Sequence, residues 1–245
     1  KAPVVAQSPN SLSFGEQVRA FLDNRAFQLI IAVKLAQLIG ISAATGGLIF
    51  FFARVIDVPL TILPVFGLAT TVAVFVSTPV LLWVGRHLGK KVGYALSAGI
   101  TGLAALSWMF AQPGDPTWMV LLRGFFLGIA FAGNVMFAMS MLTDAMEVDW
   151  HRTGMRREGM YSALYSFVEK LAMSIGPLIL GGALSVAGFD PSSPPSEVTP
   201  GVRQAVLLGI AYVPAAMAVV AVAILSFYRL DQRALEASRA VRVER

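Results

Sequence analysis

Two adjacent charged residues, Glu169 and Lys170, lie near the middle of an apolar stretch that runs from Met160 to Val186. A charge at that depth in a bilayer is costly, and such residues usually bind ions, protons or polar solutes. Lys170 is about ten residues, or about 15 Å of helix, from the nearer end of the stretch, which is too deep for easy snorkelling. The pair predicts a polar site inside a membrane. The alternatives are a lysine that pairs with a neighbouring helix and a neutral carboxyl packed between helices.

Tyr161 and Tyr165 share a helical face with Glu169, because the three residues follow at four-residue spacing. Their rings and hydroxyls suit a sugar-like ligand. The alternative is ordinary helix packing, so the pattern alone leaves the role of the two tyrosines open.

Three further polar groups interrupt the apolar stretches. Lys34 and Gln37 lie nearly one turn apart in the first stretch, and Asn134 lies in the middle of the fourth. Each is a candidate contact for a solute. The alternatives are snorkelling of Lys34 to the headgroups and an amide that only bridges helices, at about 0.6 kcal/mol on average. Arg123, close to the end of its stretch, favours snorkelling or a gate contact over substrate binding.

The composition indicates an all-α integral membrane protein. Of 245 residues, 56% are hydrophobic and 13% charged, and the mean hydropathy is +0.71. Continuous apolar runs of about 20 residues favour helices over a β-barrel, whose strands would alternate in segments of about ten residues. The sequence predicts a bundle of six spans: Phe27–Phe52, Leu60–Val84, Val92–Ala111, Trp118–Leu142, Met160–Val186 and Val202–Phe227.

Basic residues are concentrated in alternate connections, which predicts the orientation. The leading segment, the second and fourth connections and the tail are rich in Lys and Arg, so both termini are expected in the cytoplasm. The net charge of +5 follows from this topology and does not indicate nucleic acid. The absence of cysteine excludes disulfides and thiolate metal sites.

The chain divides into three parts. Residues 1–25 read as a cytoplasmic linker with a short amphipathic helix, residues 26–229 as the six spans, and residues 230–245 as a cytoplasmic tail. Because the chain begins at Lys1 and its lead does not resemble a signal peptide, we expect it to be a piece of a longer protein.

The fourth connection, from Thr143 to Gly159, is dense in charges of both signs. We expect ion pairs here that stabilise one conformational state of the molecule. The alternative is a solvated loop whose charges only set the orientation in the membrane. The candidate gating residues are Asp144, Glu147, Arg156, Arg157, Glu158 and, in the second connection, Arg86.

This region resembles a known family. The residues that carry the resemblance are Asp144, Glu147, Gly154, Arg156, Arg157, Glu158, Gly159, Tyr161, Phe167, Lys170 and Gly188, with Asn24-Arg25 and Tyr228-Arg229-Leu230 at matching places. They are similar to the glycoside-pentoside-hexuronide:cation symporters, the melibiose-permease-like branch of the major facilitator superfamily. The second connection resembles a superfamily loop pattern through Arg86, Gly89, Lys90 and Lys91, although Gly85 replaces its acid.

The resemblance implies that the six spans are the C-terminal half of a twelve-helix transporter in a bacterial inner membrane. Its partners would be an N-terminal six-span half, a small-molecule solute and membrane lipid. The lysine that matches Lys170 faces the central cavity in such symporters, and Na⁺ or H⁺ is the expected coupling ion, with no other cofactor. The coupling carboxylates belong to the other half.

Other functions were weighed from the residues. The spans contain few polar groups suited to binding a sugar, so a lipid or drug transporter of the same fold is an alternative. A further alternative is a protein that no longer transports. An enzyme is disfavoured. His87 and His151 lie in connections away from apolar serines such as Ser42, and the zinc motif His-Glu-x-x-His and a pair of intramembrane aspartates are both absent.

Overall fold

A computed structural model describes residues 23–153, 158–190 and 198–230. The predicted amphipathic helix, the tail from residue 231, Arg156, Arg157 and the Glu158 side chain lie outside the described residues. Every regular element within the described ranges is helical.

Seven α-helices build the described structure. Helix α1 (Arg25–Phe50) continues into a π-helical turn (Phe51–Val55), and α3 ends in a 3₁₀ turn (Trp108–Phe110). The other helices are α2 (Ile62–His87), α3 (Lys90–Ser107), α4 (Thr117–Thr153), α5 (Glu158–Val186), α6 (Pro200–Leu207) and α7 (Val213–Ser226). A π-helical turn, Leu208–Tyr212, joins α6 to α7, so these two helices form one span.

Six helical spans in these ranges are long and apolar enough to cross a membrane. Their bounds are Arg25–Val55, Ile62–His87, Lys90–Phe110, Thr117–His151, Gly159–Val186 and Pro200–Ser226, which confirms the six predicted spans. The chain is therefore an integral membrane protein of all-α class.

The fourth span is longer than predicted. The sequence indicated a connection from Thr143, but α4 continues through this charged segment to Thr153. No Gly or Pro lies between Thr143 and Gly154, and charged residues are compatible with a helix that leaves the bilayer. Asp144 and Glu147 therefore lie on a helix and not in a loop.

Local signals explain where the helices begin. The Asn24 side chain caps α1 by accepting a hydrogen bond from the Phe27 amide at 3.0 Å. Thr199 caps α6 in the same way, with Pro200 in the first turn. Between α2 and α3 the backbone of Gly89 has a φ of 88°, a conformation that favours glycine and permits the short connection.

The helices pack in an open arc. Helix α2 contacts α4, α4 contacts α3, α3 contacts α7, α7 contacts α1, and α1 contacts α5. The spans of α2 and α5, at the two ends of this arc, have only 17% and 28% of their central residues buried, against 39% to 50% in the other four. The arc thus leaves large apolar faces uncovered, as lipid or a further protein unit would require.

We call the end of the bundle that holds Arg25, Arg86 and Lys90 the basic end. A core next to it contains Phe27, Tyr94 and Phe137. A second core, toward the opposite end, is an aromatic cluster of Phe51, Phe52, Phe66 and Trp108, whose ring centroids lie 5.3 to 6.5 Å apart. The candidate site lies between these two cores.

Candidate functional site

A cavity of about 380 Å³ opens among α1, α2, α3, α4 and the sixth span. Apolar side chains line most of it, including Phe66, Trp108 and Phe131. Its polar lining consists of four threonines and one amide: Thr45, Thr70, Thr71, Thr101 and Asn134. A mostly apolar pocket with a few convergent polar groups is the usual form of a small-molecule site.

A chain of hydrogen bonds fixes the polar side of the cavity. The Tyr94 hydroxyl donates to Gln37 Oε1 at 2.7 Å, Gln37 Nε2 donates to Asn134 Oδ1 at 2.9 Å, and Asn134 Nδ2 donates to Thr101 Oγ1 at 2.9 Å. The chain joins α1, α3 and α4 in the apolar interior, where an unpaired amide would be costly. Asn134 and Thr101 are therefore held in place before any ligand arrives.

The threonine hydroxyls are oriented by their own helices. Thr45 donates to the Ile41 carbonyl, and Thr70 and Thr71 donate to the Gly67 carbonyl, each at 2.8 Å. Thr101 donates to the Ser97 carbonyl at 3.0 Å. Since each hydroxyl proton is engaged, the oxygens present lone pairs, and the cavity is suited to accept hydrogen bonds from a hydroxylated solute.

Lys34 is buried between α1 and α5. The residue is 8% exposed, and its Nζ lies 5.2 Å from the centroid of the Tyr165 ring. This position disagrees with the snorkelling alternative, because the amine is directed at a neighbouring helix. The structure also brings Lys34 together with Tyr165, as two of the predicted site residues.

Glu169 and Lys170 are exposed on α5, at one end of the arc. They do not line the cavity of about 380 Å³, and no ion pair in the described ranges includes either side chain. A charged pair on a lipid-facing surface would be costly, so this face requires water or a polar partner.

Tyr161 is buried between α5 and the start of α1. It is 1% exposed, its ring centroid lies 4.3 Å from that of Phe27, and its hydroxyl accepts from Asn24 Nδ2 at 3.4 Å. Asn24 Nδ2 also donates to the Ala145 carbonyl at 3.1 Å. These contacts favour the packing alternative for Tyr161, which ties α5 to the start of α1.

The basic end contains an ion pair that includes Asp144, one of the candidate gating residues. Lys90 Nζ lies 2.6 Å from Asp144 Oδ2 and so links α3 to α4. Glu147 lies 3.9 Å from His151, one turn further along α4. Arg86 is exposed, and no ion pair within the described ranges includes it.

Lys91 holds the end of the sixth span, since its amine donates to the Ser226 and Tyr228 carbonyls at 2.9 and 2.8 Å. Burial of the Tyr228 hydroxyl and the nearby charge of Asp144 raise the pKa of Tyr228 above its ordinary value, so the phenol is neutral at physiological pH. Lys90 and Lys91 thus connect three helices at the basic end.

Arg123 lies beside the aromatic cluster, toward the end of the bundle opposite the basic end. It lies 3.2 Å from Asp115, and its guanidinium is 5.2 Å from the centroid of Trp108, which lines the cavity. Both members of this ion pair are largely buried, at 13% and 17% side-chain exposure. This contact agrees with a gate position for Arg123 more than with snorkelling.

No sequence signal identified Tyr94 and Thr101 as partners of Gln37 and Asn134. Their positions depend on how three helices are rotated about their axes, which the third apolar stretch does not specify. The described residues also bring no three His, Asp or Glu side chains together in an arrangement that would hold a metal ion.

With this geometry established, comparison with known proteins identifies the family. A model described as MFS/sugar transport protein matches residues 1–232. The chain belongs to this family. The predicted resemblance to sugar symporters of the major facilitator superfamily is thereby confirmed.

Individual relatives have related names. The chain is 26% identical over 175 residues to an uncharacterized symporter of Synechocystis sp., which covers 71% of this chain and 32% of the relative. It is 27% identical over 235 residues to a glucuronide carrier protein homolog of Escherichia coli, covering 94% and 49%. It is 23% identical over 187 residues to an isoprimeverose transporter of Lactiplantibacillus pentosus, covering 75% and 38%. The chain spans half or less of the length of each relative.

Proposed function

We propose that this chain is the C-terminal half of a cation-coupled symporter for a sugar or a similar small polar solute. It works by alternating access against an N-terminal six-span half of the same transporter. The observation that carries the proposal is the uncovered face of α5, where Glu169 and Lys170 are exposed in the middle of a membrane span. A second half that encloses a hydrated cavity would provide the polar surroundings these charges need.

The cavity supports a polar, hydroxylated solute. Its threonine oxygens and Asn134 form a set of fixed hydrogen-bonding groups, and Phe66, Trp108 and Phe131 offer apolar surfaces that suit the faces of sugar rings. Relatives named for a glucuronide and for isoprimeverose favour a sugar, and relatives named symporters favour coupling to Na⁺ or H⁺.

The proposal also includes the membrane and the orientation of the protein. We place the protein in a bacterial inner membrane with the basic end in the cytoplasm, in agreement with the charge distribution. It acts as a transporter and not as an enzyme, and it needs no cofactor besides the coupling ion.

A lipid or drug transporter of the same fold is a second candidate, and the apolar lining of the cavity is the observation that favours it. The sugar hypothesis and this alternative differ in the solute that binds in the cavity and in the residues that bind it. A sugar would depend on Asn134, whereas a lipid or drug would depend mainly on the aromatic lining.

Lys170→Ala in the full-length transporter tests whether the charged pair faces a hydrated space between the two halves. We expect uptake of the solute to be abolished while expression and thermal stability stay near normal, because Lys170 makes no ion pair in the described part of this half. Arg229→Ala is the matched control, since Arg229 is also an exposed cation but lies at the basic end and is not among the candidate site residues. Normal uptake by Lys170→Ala would refute the assignment.

A further inference from the structure

Tyr94 is the wholly buried end of the hydrogen-bond chain that reaches the cavity. The residue is 0% exposed and is not part of the cavity lining. Among the described residues its hydroxyl makes one hydrogen bond, the 2.7 Å contact with Gln37 Oε1. A buried hydroxyl proton without an acceptor is costly, so this contact is essential to the position of the tyrosine. Tyr94 therefore acts on the first amide of the chain from outside the cavity.

The hydrogen bonds of the chain all run in the same direction. Tyr94 donates to Gln37, which donates to Asn134. Asn134 then donates to Thr101, and Thr101 donates to the Ser97 carbonyl. Each side-chain amide has one donor end and one acceptor end, so this order fixes how each amide is turned. The nitrogen of Asn134 lies on the Thr101 side, and its oxygen faces Gln37.

The opposite direction would leave a buried proton without an acceptor. If both amides were turned over, Gln37 Nε2 would donate to the Tyr94 oxygen, and Asn134 Nδ2 would donate to Gln37 Oε1. The Tyr94 proton would then have no acceptor among the residues that the structure describes. Thr101 would also have to leave the Ser97 carbonyl in order to donate to Asn134 Oδ1. The two amides could bond to each other either way, so the Tyr94 hydroxyl decides between the two directions.

The direction of the chain determines what the cavity wall offers to a solute. Four threonine hydroxyls of the wall donate their protons to backbone carbonyls of their own helices and so present acceptors: Thr45, Thr70, Thr71 and Thr101. Asn134 Nδ2 carries two N–H groups and gives one of them to Thr101, which leaves the second for a ligand. With the amide turned over, a carbonyl oxygen would replace this donor.

We propose that Tyr94 is a positioning residue for solute binding. Through Gln37 it holds the Asn134 amide with its nitrogen toward the cavity, where the free N–H donates to an oxygen of the solute. This inference rests on the proposed function and adds a residue outside the cavity that controls the affinity for the solute. A tyrosine is required at this position because phenylalanine has the same ring but no proton to give to Gln37.

A double-mutant cycle measured by transport tests this role. The full-length transporter is reconstituted in liposomes, and initial uptake of p-nitrophenyl β-D-glucoside and p-nitrophenyl β-D-xyloside is measured for the wild type, Tyr94→Phe, Asn134→Ala and the double variant. We expect Tyr94→Phe to raise the apparent KM about three- to tenfold and to change the maximal rate about twofold or less. In the Asn134→Ala background it should change the ratio of maximal rate to KM about twofold or less, because the group through which it acts is gone.

Tyr228→Phe is the matched control. Tyr228 is 3% exposed, and its hydroxyl has no hydrogen-bond partner among the described residues, so the same substitution removes a buried hydroxyl without breaking the chain. It should leave KM unchanged in both backgrounds. A role of Tyr94 in stability alone would lower the amount of active transporter and the maximal rate, and it would leave KM as it is.

The orientation of the amide also has a readout that does not depend on transport. In protein labelled with ¹⁵N-asparagine, the side-chain signal of Asn134 is the one that Asn134→Ala removes from the NMR spectrum. We expect Tyr94→Phe to shift this signal or to divide it between two positions, and Tyr228→Phe to leave it unchanged.

Two results would overturn the proposal. One is an Asn134 signal that Tyr94→Phe does not alter, and the other is an equal rise in KM with and without the Asn134 side chain. A wild type that takes up no sugar at all would instead refute the proposed function. The Asn134 signal would still show in that case whether Tyr94 orients the amide.

Discussion

Gln37 of α1 donates a 2.9 Å hydrogen bond from its amide to Asn134 of α4, and this contact joins the two helices beside the cavity. The carbonyl oxygen of the Gln37 side chain accepts from the Tyr94 hydroxyl, and the Asn134 amide donates to the Thr101 hydroxyl. The position of each group therefore depends on the next, and the polar side of the cavity acts as one unit.

Replacing Asn134 should reduce solute uptake strongly and stability only slightly. Asn134→Ala removes the link in the middle of the chain and a group that lines the cavity, so we expect solute uptake to fall strongly. The stability cost should be only about 0.6 to 1.7 kcal/mol for each lost hydrogen bond, the average and the maximum measured between membrane helices. Ser77→Ala is the control, since Ser77 is equally buried but bonds only to the Val74 carbonyl of its own helix. Uptake equal to the wild type in Asn134→Ala would contradict this role.

The Lys90–Asp144 ion pair should couple α3 to α4 at the basic end. Because its side chains are 28% and 18% exposed, we expect a coupling energy of about 0.5 to 1 kcal/mol from a double-mutant cycle of Lys90→Gln and Asp144→Asn. The coupling should decrease at high salt, since exposed charges are screened. Additive effects of the two substitutions at low salt would show that the contact does not contribute.

The close approach of α1 and α5 should depend on Gly176. A Cβ at this position would collide with the backbone of Ser42 and Ala43, so Gly176→Ala should force the helices apart and cost about 1 to 3 kcal/mol. Gly181→Ala, about one and a half turns further along the same helix, has open space around the added methyl group and should be neutral or slightly stabilising. Thermal unfolding of the two variants measures the difference, and equal melting temperatures would contradict the packing.

The sequence predicted the spans because their hydrophobic runs reflect the thickness of the bilayer, independent of tertiary contacts. It also indicated Lys34, Gln37 and Asn134, because polar groups in an apolar run are rare. It did not show that Tyr94 and Thr101 complete the hydrogen-bond chain, since that depends on the rotation of neighbouring helices. The pairing of Lys90 with Asp144 and the core position of Tyr161 depend on tertiary packing for the same reason.

Solute uptake by the full-length transporter under imposed ion gradients tests the central claim most directly. Liposomes that contain the protein are given a panel of sugars and labelled lipids, with an inward gradient of Na⁺ or of H⁺. The account predicts accumulation of a sugar that one of the two gradients drives and that collapses with it. Lipid movement that does not respond to either gradient, or no movement of any solute, would contradict it.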